Sequence, residues 1–138
     1  MKKILLGLDG SEGSFKALSE AIVLSKQLDS ELHTISVHEV PQYPGTMGEV
    51  MEEKEAANGV FGAAIEKAKT TAKNAGVPLR CHVMVGHEVK GIVEFIKAHK
   101  VDLLVIGFMG HSAIYNRIMG GTCQNLVRLA PCSVLVVK

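Results

Sequence analysis

The chain has 138 residues, 47% of them hydrophobic and 21% charged, with a formal net charge of +1. That length suits one domain able to bury roughly two thirds of its unfolded surface, so folding requires neither a disulfide nor a metal. The balanced, mixed charge speaks against a grip on nucleic-acid backbone, which takes a clear basic excess, and no apolar run approaches the ~20 residues of a membrane span.

Lys3–Leu8 is apolar and closes on Asp9, too short for a secretory leader and right for a buried strand. The turn-rich Asp9-Gly-Ser-Glu-Gly-Ser14 follows. After it, Phe15, Leu18, Ile22 and Ser25 recur on one helical face. Leu32–Val37 reads as the second strand. Glu39–Gly48, with Pro41, Pro44, Gly45 and Gly48, reads either as a lid or as a solvated connection. Phe61, Ile65, Ala68 and Ala72 mark the second helix. Leu79–Val85 alternates, setting Arg80, His82 and Met84 against Cys81, Val83 and Val85, as an edge strand does. Ile92, Val93 and Ile96 mark the third helix, Asp102–Ile106 a strand, and Leu126, Val127 and Leu129 a short fourth helix. Ser133–Val137 is the last strand.

Strand and helix alternating in this way give βαβ units, hence one α/β domain with a five-stranded parallel sheet and helices on both faces. Ile4–Leu8 and Leu103–Ile106 are continuously apolar and belong at the centre, buried on both sides. The alternating strand belongs at an edge. The order is then 3-2-1-4-5, with a topological switch point between strands 1 and 4, where open α/β sheets bind ligands beyond the carboxyl ends of their strands. The Asp9 loop and the segment from Gly107 to Gly121 converge there.

That second segment reads Gly107-Phe-Met-Gly110, nine residues, then Gly120-Gly121-Thr122 opening the last helix. Glycines leave backbone amides uncovered, and a helix start adds unpaired N–H groups and the positive end of its dipole. This describes an anion cradle, with plain turn-and-cap chemistry as the alternative. Asp9 has two readings, as a ligand to ribose hydroxyls or to a nucleotide-bound Mg²⁺, and as an Asx turn. Arg117 is the only Lys or Arg in the long loop, there is no P-loop lysine, and nothing resembles a positioned general base, so ATP hydrolysis would at most be slow. His33/His38 and His82/His87 are spaced five apart, which puts each pair on opposite faces of a strand, and they read as surface or loop residues. Cys123, at the helix start, reads as a small filler or as a redox-sensitive thiol. Cys81, Cys123 and Cys132 have no metal-ligand spacing and suit buried thiols in a reducing cytoplasm.

The pattern G-x-x-G, nine residues, then G and a small polar residue resembles the ATP-binding signature of the universal stress protein family. ILLGLDGSEGS resembles the family's opening strand and loop, VGHEVKGIVEFIKAHKVDLLVIG its third-helix and fourth-strand block, and LAPCSVLVVK its closing strand. The resemblance implies that residues 1–138 form a cytoplasmic, nucleotide-binding stress-response or regulatory domain of sheet order 3-2-1-4-5. Its ligand would be ATP or another adenine nucleotide, with Mg²⁺. It places Gly7, Leu8 and Asp9 against adenine and ribose, Val37 where a backbone group recognises the adenine edge, Gly107 and Gly110 along ribose and phosphates, and Gly120, Gly121, Thr122 and Cys123 around the phosphates. The family usually has Ser or Thr where Gly121 stands. The missing hydroxyl bond is worth ~1 kcal/mol, short of the ~1.4 kcal/mol that makes a tenfold change.

Ser133–Val137, apolar yet at an edge, implies a homodimer through that strand, which the family resemblance also implies. Two other readings compete. One is a dimerising stress protein without nucleotide. The other is a KH-type RNA-binding loop at Gly107–Gly110, which a helix before Gly107 or a basic rim would support.

Overall fold

The protein is described from a computed structural model, which covers residues 1–39, 47–108 and 121–138, with the backbone alone for 47–58. Among the described residues, nine elements alternate along the chain. They are β1 (Lys3–Gly7), α1 (Glu12–Leu28), β2 (Glu31–His38), α2 (Met47–Asn74), β3 (Leu79–Val85), α3 (Glu88–His99), β4 (Leu103–Gly107), α4 (Gly121–Leu129) and β5 (Ser133–Val137). The five strands form one parallel sheet in the order β3-β2-β1-β4-β5, as expected from the apolar runs.

Alternation along the central strands sends side chains to two separate cores. Ile4, Leu6, Leu103 and Val105 pack against Ala17, Leu18, Ala21 and Ile22 of α1 and Ala68 and Ala72 of α2. Leu5, Ile35, Leu104 and Ile106 face Ile92, Phe95 and Ile96 of α3 and Cys123 and Leu126 of α4. The sheet is therefore covered on both sides. Packing outweighs capping here. Ser11 caps α1 by accepting from the Ser14 amide, worth about 1 kcal/mol, whereas Leu18 and Ile22 each contribute about 1.5–3 kcal/mol by burial.

Two details depart from the periodicity. α2 starts at Met47, so its first turns reach back to the end of the Pro/Gly-rich stretch; the expected lid or connection falls mainly on residues 40–46, outside the described ones. Of the three residues expected to mark α4, only Leu126 is buried, while Val127 and Leu129 are exposed. Among the described residues, no helix is long and apolar enough to cross a membrane.

Candidate functional site

The carboxyl ends of β1 and β4 open into a cavity of about 210 Å³ on the α3/α4 side of the sheet. One wall is the loop after β1. Leu8 donates its amide to the Ile35 carbonyl at 2.9 Å, and the buried Ser36 hydroxyl donates to the Leu8 carbonyl at 2.7 Å. The loop is thus stitched to β2 from both sides of one residue. Asp9 then turns the chain toward α1: its Oδ1 accepts from the Ser11 amide and the Ser11 hydroxyl, and Gly10 takes a φ of 84°. That is the Asx turn. Asp9 Oδ2 accepts no hydrogen bond from a described residue, and Asp9 still lines the cavity.

The opposite wall is the first turn of α4. Gly121, Thr122 and Cys123 line the cavity and belong to the helix positions whose amides have no intrahelical acceptor. Gly107 joins the walls. A Cβ at this position would lie 2.7 Å from the backbone C and O of Gly13, so only glycine lets the end of β4 pass the first turn of α1. This constraint comes from packing and was not legible in the loop signature. Cys123 is buried, and burial pushes its thiol pKa up despite the helix start, which fits the filler and not the reactive thiol.

Residues 1–138 match the sequence model of the Universal stress protein family. The chain belongs to that family. It is 32% identical over 139 residues to the universal stress protein MJ0531 of Methanocaldococcus jannaschii, covering 99% of this chain and 82% of that one. Among solved structures it is similar to the universal stress protein UspA from Lactobacillus plantarum, with a TM-score of 0.85, 22% identity and coverage of 99% and 97%. It is also similar to a universal stress protein in complex with cAMP, with a TM-score of 0.76, 28% identity and coverage of 99% and 97%.

In this universal stress protein eight of the residues singled out from sequence meet in the one cavity: Gly7, Leu8, Asp9, Val37, Gly107, Gly121, Thr122 and Cys123. Gly110 and Gly120 lie outside the described residues, as does Arg117. Sequence reading missed Ser11, Ser14, Glu88, Ile92 and Phe108, which also line it. The spacing of the α3 stripe pointed to Ile92, but nothing local marked Glu88. Gly107 ends a strand, where a KH loop needs a helix.

The surface reading of the histidines is corrected at two positions. His33 is 5% exposed, and its Nδ1 lies 3.0 Å from Nε2 of His82. The ring planes are 11° apart with centroids 5.2 Å apart, the geometry of two nearly coplanar rings joined edge to edge by one N–H···N bond. Phe95 and His99 of α3 continue the cluster. The cause is the β2–β3 register, His33 opposite Arg80, which brings His82 diagonally beside His33 on the same face. Burial is the first cause lowering both imidazole pKa values. Among the described residues, no group of three or more His, Cys, Asp or Glu side chains is arranged to hold a metal ion.

Proposed function

We propose that residues 1–138 form an adenine-nucleotide-binding domain of the ATP-binding branch of the family, acting as a regulatory or stress-response module. The observation that carries this reading is the pairing, across one cavity, of the α4 amides with the Asp9 loop. A helix start offers N–H donors and a positive dipole end to phosphate oxygens. The apolar floor of Leu8, Ile35 and Ile106 suits a planar base. The complex of a 28%-identical relative with cAMP supports the same ligand class.

Among the described residues, the cavity is lined by two carboxylates, Asp9 and Glu88, and by no Lys, Arg or His. A polyphosphate there would need its charge offset, and Asp9 Oδ2 is a hard oxygen donor suited to Mg²⁺ held on the phosphates. We therefore expect Mg²⁺ to strengthen ATP binding. The same scarcity of cations and of a positioned base favours a binding module over a fast phosphoryl-transfer enzyme. Three free cysteines suit a cytoplasmic location. Titration calorimetry with ATP, ADP and AMP, with and without Mg²⁺, tests the reading; no heat at millimolar ligand would sink it.

The second reading, a dimerising stress protein without nucleotide, is favoured by β5. The strand lies at the sheet edge beside β4 and is continuously apolar. We propose a homodimer through Ser133–Val137 under either reading.

A further inference from the structure

The register of β4 and β5 carries one residue past the ends of both strands. Gly107 lies opposite Val137, and the next amide, that of Phe108, still donates to the Val137 carbonyl at 2.8 Å. Ile106 and Val136 face the α3/α4 core, so Phe108 and Lys138, two residues on, return to the same face. Phe108 lines the cavity there, and the Lys138 ammonium stands 5.4 Å from the centre of its ring. Gly121, Thr122 and Cys123 line the same cavity, and Val136 packs against the core that holds Cys123. A cation and a helix start therefore share the β4–β5 corner of the site, the cation just outside its wall.

The carboxylates that line the cavity stand elsewhere. Asp9 follows β1, two strands from β5 and so roughly 10 Å away at the usual strand spacing, and its Oδ1 is engaged by Ser11. Glu88 opens α3. The Lys138 side chain is exposed, and an exposed ammonium over a ring is held by a factor of only about two to five. A phosphate oxygen offers it a charge-assisted bond worth about tenfold or more, so exchanging the ring for the phosphate is favourable. We infer that Lys138 is a phosphate-binding residue of this site, its ammonium passing from the Phe108 ring to a nucleotide held at the α4 start. Because the lysine stands outside the wall, it meets the phosphates furthest from the base and selects for a longer phosphate chain. The inference rests on the nucleotide-binding reading and adds to it a side chain that counts phosphates.

The test is calorimetric titration of the full chain with ATP and with AMP, both in Mg²⁺. Lys138→Met keeps an unbranched stem beside Phe108 and removes the charge. It should weaken ATP about fivefold and leave AMP within about twofold of the wild type, whereas a disturbed cavity would weaken both. Lys138→Arg should hold ATP within about twofold of the wild type, because the cation is kept. Raising the salt concentration should weaken ATP less in Lys138→Met than in the wild type. Lys2→Met removes an equal charge at the opposite ends of the strands, ahead of β1, and should leave both ligands unchanged, which separates contact from net charge. Far-UV circular dichroism checks that each variant is folded. A Lys138→Met protein whose ATP affinity stays within twofold of the wild type overturns the assignment alone. So does an equal loss for AMP, or an equal loss of ATP affinity in Lys2→Met. A wild type that binds neither nucleotide overturns the nucleotide-binding reading and this assignment with it.

Discussion

One proton holds the His33–His82 pair together: one ring donates, the other accepts, and a second proton leaves two donors facing each other at 3.0 Å. Glu31 lies 3.6 Å from His33 Nε2 and raises the His33 pKa, while Arg80, Lys3 and His99 add opposing positive charge around the pair. Burial dominates, and both rings titrate below the ordinary imidazole value of about 6.5. The unfolded chain therefore takes up protons first as pH falls. Stability is full above about pH 6.5 and declines as pH drops toward the folded-state values, with a slope of at most ~1.4 kcal/mol per pH unit for each proton of difference. The urea midpoint, measured between about pH 7.5 and pH 5.5, should fall in the wild type and lie flatter in a His33→Leu/His82→Leu double variant. A wild-type midpoint that does not move would show that the pair does not enter the folded state neutral. None of this was legible locally, since the partners are 49 residues apart and spacing within one strand says nothing of the next.

The strands were legible because a buried strand has to be apolar along its own length, and β1 and β4 show this as Ile4–Leu6 and Leu103–Ile106. The start of α2 was not, because Met47 lies well before Phe61, where the legible stripe of Phe61, Ala68 and Ala72 begins. The two glycines flanking the long loop show how element context separates residues that look alike in a motif. Gly121 opens α4 with no atom of a described residue within 4 Å of where a Cβ would stand, and with no positive φ. Gly121→Ser should therefore leave the thermal midpoint unchanged and nucleotide affinity equal or improved. Gly107→Ala drives a Cβ against the Gly13 backbone and should cost roughly 1–3 kcal/mol, seen as a lowered midpoint in thermal or urea unfolding. An affinity loss at Gly121→Ser, or an unshifted midpoint at Gly107→Ala, would reverse the roles assigned to the two positions.

At the scale of the molecule, the sheet has two edges of different character. β3 carries the charged Arg80, which pairs with Glu31 at 3.2 Å, while β5 reads Ser-Val-Leu-Val-Val with no charge inside it. Natural edges are usually defended by charge, proline or a bulge, and pairing β5 with its own copy about a two-fold axis would satisfy its free groups. Val136→Asp should give a monomer by light scattering, with circular dichroism confirming the fold; a wild type already monomeric at tens of micromolar would end the dimer proposal. The bond from Ser36 to the Leu8 carbonyl has a consequence for how the cavity is used. With Leu8 tied through both its amide and its carbonyl to β2, that wall has already given up its conformational freedom during folding, when each fixed residue costs about 1–2 kcal/mol of entropy. A molecule entering the cavity meets a surface already set in shape there, and its affinity is not reduced by having to order that segment of the chain.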